Sequence, residues 1–334
     1  MPDVFLDLPL SEQAEIIRIA APKLGMPAPL VEKDVWVCWA LEHLFAIPDR
    51  HQMAFKGGTS LSKVYNAIQR FSEDIDITVD YRSLSGENLP DNISPSGAKK
   101  LSEKLRSLLK VYSSTVIKPY FEDLLSEKFP DRICAVELSG DGERLWIKYQ
   151  SAIAEELSYV PSNVLVEFGG RNITEPAETF AVVTYLSQQT SGIQLPVASV
   201  NVLALARTFW EKATLIHVEC NRGAARPNVN RLSRHWSDMA KLGEHALAAD
   251  AIANRKLLAD VVKHKKIFFD SRFAYYDKCL TGGLKLAPKG ELKASLEHDY
   301  RAMIDSGMFT GDPAPFEKVI ESLEKLERRI NTLR

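Results

Sequence analysis

Two stretches decide how this chain is read: Phe55-Lys56-Gly57-Gly58-Thr59-Ser60-Leu61 and Arg70-Phe71-Ser72-Glu73-Asp74-Ile75-Asp76. Met53-Ala54-Phe55 is a short apolar run closed by two glycines, the pattern of a buried strand entering a tight turn. Asp74 to Asp80 alternates Asp, Ile, Asp, Ile, Thr, Val, Asp. That period of two predicts a strand with Ile75, Ile77 and Val79 on one face and the acids on the other. Carboxylates at i and i+2 then point the same way, so Asp74 and Asp76 form a hard-oxygen pair suited to Mg²⁺, with Mn²⁺ as a substitute. The Gly57-Gly58 turn lets the backbone approach a ligand closely. Thr59 and Ser60 add hydroxyls, and the helix expected after the turn, Leu61 to Gln69, aims free N–H groups at the same place. Strand, G-G-[ST], helix and acid-bearing strand in that order fit a triphosphate bound against metal. The turn is not a Walker loop, because G-x-x-x-x-G-K-[ST] is absent.

The rest of the chain sets the bounds. Its 334 residues suffice for two domains or one large one, and 45% apolar with 26% charged residues is ordinary for a globular protein. The net charge is -2, so any surface for nucleic acid must be local. The four cysteines stand far apart with no C-x-x-C, which argues against a zinc site or a disulfide framework. Met1 to Pro9 lacks the basic start and apolar core of a signal peptide, and no apolar run reaches membrane-spanning length. A cytoplasmic protein is expected.

Organisation follows from pattern. Residues 11–47 read as helices with Ser11 as an N-cap; residues 83–98 read as a polar loop and residues 99–129 as helical. Ile133 to Ser139 and Arg144 to Tyr149 form a hairpin about Gly140-Asp141-Gly142, and Asn163 to Phe168 a strand stopped by Gly169-Gly170. From Val197 on the pattern is read as helical, with one helix from Val200 to Val218, another from Asp250 to His264, and a flexible link from Asn221 to Asn230. The fold class expected is α/β (α+β): a mixed sheet flanked by helices over residues 1–190, then a helical C-terminal domain over residues 191–334.

The two opening stretches resemble the first motif of the nucleotidyltransferase AbiEii/AbiGii toxin family, within the polymerase-β-like nucleotidyltransferase superfamily. Arg207-Thr208-Phe209-Trp210-Glu211-Lys212-Ala213-Thr214-Leu215-Ile216-His217 resembles that family's lysine-bearing helix, and Arg231-Leu232-Ser233-Arg234-His235-Trp236-Ser237-Asp238-Met239 its terminal motif. The gap between the G-G turn and the first aspartate is longer than the superfamily's usual one and is that of the toxin branch. The resemblance implies a nucleotidyltransferase fold in which Lys56, Gly57, Gly58, Thr59, Ser60, Arg70, Ser72 and Lys212 bind an NTP. Asp74 and Asp76 would hold metal, Asp238 would complete the site or act as a base, and Glu167 would be a third carboxylate that takes the acceptor's proton.

It further implies a toxin of a toxin–antitoxin, phage-defence system that transfers NMP from NTP to an RNA acceptor, the tRNA 3′ end, blocking translation, with a cognate antitoxin as partner. Nucleotidylation of a protein target and a catalytically silent nucleotide-binding regulator are the alternatives. Between Leu195 and Lys241 the seven Lys or Arg against three acids suit either RNA or a solvated helical face. Trp210 and Trp236 there suit core packing better than base stacking.

Overall fold

The computed structural model describes residues 3–89, 93–153, 162–224, 231–309 and 311–332. The chain forms two compact units: residues 1–64, 72–88 and 101–202, and residues 65–71, 89–100 and 203–334.

The first unit contains β1 (Asp3–Val4), α1 (Leu10–Leu24), α2 (Ala28–Ala46), β2 (Met53–Lys56), α3 (Gly57–Lys63), β3 (Ile75–Asp80) and α4 (Tyr81–Ser85). Then come α5 (Pro95–Tyr112), whose start to Lys100 is counted in the second unit, α6 (Lys118–Lys128), β4 (Ala135–Leu138), β5 (Arg144–Lys148), β6 (Asn163–Asn172), β7 (Ala177–Val183), β8 (Ile193–Gln194) and β9 (Val197–Leu203), whose last residue is likewise counted there. Seven strands form one mixed sheet in the order β4-β5-β6-β3-β2-β9-β7. β3 lies near its centre, antiparallel to β2 and parallel to β6. Ile75, Ile77 and Val79 are fully buried, as their alternation predicts. The opposite face of β3 is not a solvent face throughout: Thr78 and Asp80 are also buried, and Asp80 caps α4 by accepting from the Arg82 amide at 2.9 Å. α2 is buried on every side, as an apolar helix inside a core must be.

Several sequence expectations fail for identifiable reasons. α1 begins at Leu10 behind Pro9, with no side-chain cap from Ser11. α3 stops at Lys63 rather than Gln69, and Asn66 takes a left-handed φ of 48°. Residues 65–71 instead pack in the second unit, where Phe71 N–H donates to Met308 O at 2.8 Å. The loop expected at residues 83–98 holds the end of α4 and the start of α5. β6 runs through Gly169-Gly170, because a side chain at Gly170 would press on Leu84 at 3.1 Å and Leu109 at 3.3 Å; the glycine is a packing device, not a stop. Val197–Leu203 is a strand, with Ala198, Val200 and Val202 buried, so the helix expected from Val200 starts only at Leu205.

The second unit contains α7 (Leu205–Arg222), α8 (Arg234–Glu244), α9 (Ala248–Ala253), α10 (Arg255–Phe268), α11 (Asp277–Leu280), α12 (Gly290–Asp305) and α13 (Phe316–Thr332). The helix expected from Asp250 to His264 is broken at Asn254, whose side chain accepts from Leu257 N–H at 3.0 Å and starts α10. Most of the expected link from Asn221 to Asn230, residues 225–230, lies outside the described residues.

Candidate active site

The register of the sheet builds the first cluster. Asp76 is the Cα partner of Lys56 on β2 and of Glu167 on β6, and Glu167 is the partner of Arg144 on β5. Register partners on neighbouring strands share a face. Lys56, Asp76, Glu167 and Arg144 therefore form one charged row across four strands, cations outside and acids inside. Asp76 is half-buried; Glu167 is also half-buried and meets Arg144 Nε at 3.0 Å.

Asp74, half-buried too, sits immediately before β3, and its backbone carbonyl accepts from the Thr59 hydroxyl at 2.5 Å. Ser60 Oγ donates to Gly57 O at 3.0 Å. Both hydroxyls are buried and tie the G-G turn together and to the acid-bearing segment. Gly57, at φ 77°, has no substitute: a Cβ there would stand 1.8 Å from Asp76 Oδ2. The Asp76 carboxylate thus lies against the Gly57 backbone, in space that only glycine leaves open. Among the described residues no three His, Cys, Asp or Glu side chains converge into a ready-made metal cage. Two hard carboxylates beside an open backbone nonetheless suit an ion such as Mg²⁺, which keeps water and substrate oxygens in its shell.

Behind this cluster lies a feature the sequence reading missed. Glu32-Lys33-Asp34, in the middle of α2, are each at most 3% exposed. Glu32 accepts from Ser151 Oγ at 2.5 Å and Ala152 N–H at 2.6 Å, and burial raises its pKa. Lys33 meets Glu73 at 2.7 Å, next to Asp74. Asp34 pairs with Lys63 at the end of α3 and accepts from Tyr185 N–H at 2.7 Å, while Lys63 lies 3.9 Å from the Tyr185 ring centroid. Burial opposes the Lys63 charge, but Asp34, Cys38 and Tyr185 together outweigh it and the lysine's pKa is raised. One helix thereby grips both flanks of the segment that carries the glycine turn and the aspartates. The signal was available: three adjacent charges inside a helix apolar on every face.

The second unit gathers the other predicted residues. Arg70 donates to Asp238 through Nε at 2.7 Å and Nη2 at 2.9 Å, a bidentate pair, and Lys212 Nζ meets Asp238 Oδ2 at 2.9 Å. His235 Nδ1 lies 3.5 Å from Lys212 Nζ. All three ion-pair members are buried. Burial alone would raise the Asp238 pKa; Arg70 and Lys212 reverse this and hold it well below the usual carboxylate range. A carboxylate so satisfied is a weak base. Burial lowers the Lys212 pKa against the pull of Asp238, and burial with Lys212 and Arg234 pushes His235 far down, so that imidazole stays neutral.

A cavity of about 380 Å³ opens beside Arg70 and Asp238, walled by Ile68, Tyr300, Phe309 and Val319. Ser72 is half-buried and belongs to the first unit. The basic stretch from Leu195 to Lys241 is not one exposed surface. Arg207 is 1% exposed and paired with Glu211 and Asp260, Lys212 is buried, and Arg226 lies outside the described residues. Trp210 and Trp236 are core residues whose indole N–H groups donate to Ala251 O and Leu286 O.

The four cysteines are free, and no described helix is long and apolar enough to cross a membrane. Among curated proteins none matches the chain. The family described as "Nucleotidyl transferase AbiEii toxin, Type IV TA system" matches residues 39–322, nearly the whole chain, and the chain belongs to it.

Proposed function

We propose that this nucleotidyl transferase acts with Mg²⁺, or Mn²⁺ in its place, to move NMP from an NTP to the 3′ end of a tRNA, and so blocks translation. The observation that carries this reading is the charged row Lys56, Asp76, Glu167 and Arg144, with the Asp76 carboxylate seated on Gly57. Asp74 and Asp76 would hold the metal, whose chemistry would be to offset charge on the phosphates. Lys56 and the backbone of Gly57-Gly58 receive the triphosphate. The acceptor hydroxyl oxygen bonds to the α-phosphorus, the α–β bridging P–O bond breaks, and pyrophosphate leaves with that electron pair. The hydroxyl proton passes to the Glu167 carboxylate. Asp238 has a positioning role: it fixes Arg70 and Lys212, the cations that the family resemblance assigns to phosphate oxygens.

The test is incubation of the pure protein with labelled NTPs, Mg²⁺ and either total tRNA or cell protein. Label on tRNA supports the proposal. Label on protein alone replaces the acceptor, and NTP binding without label on either makes the chain a silent nucleotide-binding regulator.

A further inference from the structure

The positive charge missing from the surface around Lys212 stands elsewhere in the helical unit. Between Arg255 and Lys289 there are nine Lys or Arg against three Asp, in a chain whose net charge is -2. Lys256, Lys263, Lys266, Arg272, Lys278 and Lys285 are exposed. Charge alone would describe a solvated face. The aromatics among these cations do not fit that description.

Phe269 is 39% and Tyr275 53% exposed, and Phe273 is half-buried. Each carries a cation over its ring. Lys265 stands 4.8 Å from the Phe269 centroid and Lys278 4.9 Å from that of Tyr275. Phe273 has Arg222 at 4.7 Å and Arg272 at 4.6 Å. Tyr275 is presented to solvent by a backbone in the left-handed region, φ 38°, with its carbonyl 3.3 Å from His217 Nε2. Lys266 on α10 pairs with Asp277 on α11 at 2.9 Å, so the helices and the aromatic loop between them form one surface.

Exposed rings beside cations are what single-stranded nucleic acid requires: a π-face for each unstacked base and a charge for each phosphate. We propose that α10, α11 and the chain through Lys289 bind single-stranded RNA. Phe269 and Tyr275 stack bases, and Lys263, Lys278 and Lys285 meet phosphates. The choice of RNA over DNA rests on the acceptor reading above; the surface itself rests on the residues just described.

The test uses the full chain and a fluorescein-labelled, unstructured RNA of about 20 nucleotides, long enough to cover one such surface. Replacing three exposed lysines together (Lys263→Gln, Lys278→Gln, Lys285→Gln) should lower the slope of log Kd against log salt by about 2, at roughly 0.7 per single-strand phosphate. Tyr275→Leu should weaken binding on the order of tenfold with the slope unchanged. Melting temperatures should stay within about 2 °C of wild type, since these side chains are exposed.

Wild-type affinity and slope in the triple variant overturn the surface, and if the wild-type protein still labels tRNA the acceptor reading stands without it. Loss of affinity in the variants with no label on tRNA from wild type overturns the acceptor reading and keeps the surface. Displacement of the RNA by polyglutamate as readily as by unlabelled RNA overturns base stacking in favour of an acidic partner. Equal affinity for the DNA of the same sequence overturns the choice of RNA.

Discussion

The two units treat their acids in opposite ways. In the sheet unit Asp74 and Asp76 are half-buried, and Asp76 rests on a glycine backbone. In the helical unit Asp238 is 1% exposed and takes two bonds from Arg70 and one from Lys212. Under the proposed function, the half-buried aspartates would meet a cation from solution and need rigid support. A carboxylate that must hold two cations in place needs its own lone pairs filled. The sheet unit holds the flanks of the aspartate segment with buried pairs, Lys33 with Glu73 and Lys63 with Asp34. On the proposed reading, separate acids serve metal binding and scaffolding in the sheet unit, while the acid of the helical unit is a clamp.

The sharpest way to break this contrast is to remove the half-buried Asp76. Asp76→Ala should cut nucleotide transfer on the order of 10³-fold or more while the melting temperature moves by only a few degrees. A variant that transfers at the wild-type rate would refute the assignment of Asp76. Gly57→Ala should be as inactive, because its Cβ would stand 1.8 Å from the Asp76 carboxylate at a φ of 77°. Asp238→Asn should behave in the opposite way. It leaves Arg70 and Lys212 buried without a counter-charge, and urea unfolding should show a loss of about 3–5 kcal/mol. If Asp238→Asn is as stable as wild type but inactive, Asp238 acts in the chemistry and not as a clamp.

Lys33→Met tests the scaffolding behind the aspartates. It removes the lysine that meets the buried Glu73 carboxylate, with a loss of up to about 3–5 kcal/mol. Lys33→Met with Glu73→Gln removes both charges and should recover most of the stability. If transfer recovers with it, the pair only holds the fold. If stability returns and transfer does not, the pair places Asp74.

What was legible in the sequence follows the same division. The alternation of β3 showed because its apolar face is local and regular, and the G-G turn showed because glycine pairs punctuate a chain. β9 was hidden because Leu203 continues into the helical period of α7 without a break, so the strand residues from Val200 on read as the start of a helix. Residues 64–69 read as the rest of a helix from Leu61 because Leu61, Val64, Tyr65 and Ile68 have helical spacing, but Ala67 and Ile68 are buried in the second unit and tertiary packing wins. Charges mislead most: Glu32, Lys33, Asp34 and Arg207 look like surface residues, and only the partner brought by the fold makes their burial tolerable. The row from Lys56 to Arg144 depends on strand register, which no single strand encodes.

A smaller effect comes from pH. Burial lowers the pKa of His217 to about 4, and burial with the neighbouring cations Lys212 and Arg234 lowers that of His235 well below its usual value. Unfolded, both would titrate near 6.5. Below that pH the unfolded chain binds protons that the folded one refuses. Stability of the helical unit is therefore full above about pH 6.5 and declines as pH falls toward 4, by roughly 1.4 kcal/mol per pH unit for each such histidine. Urea midpoints measured from pH 7.5 to 4.5 should fall along this limb, and His217→Gln should flatten it. A flat profile in the wild type would show that the imidazoles are not held neutral.

The smallest stability effect belongs to the row itself. Arg144 and Glu167 form a partly exposed pair, 58% and 34% exposed, of the kind worth about 0–1 kcal/mol. Arg144→Ala and Glu167→Gln should therefore be nearly indistinguishable in urea. Their transfer rates separate the two roles that Glu167 can have. As the group that receives the acceptor's proton, Glu167 cannot be replaced by an amide, and Glu167→Gln should slow transfer by about 10²–10⁴-fold while Arg144→Ala slows it far less. Equal small losses in both variants would reduce Glu167 to the inner half of a surface ion pair. The work of the row would then rest on Lys56, which precedes Gly57, and on Asp76, whose carboxylate lies against it.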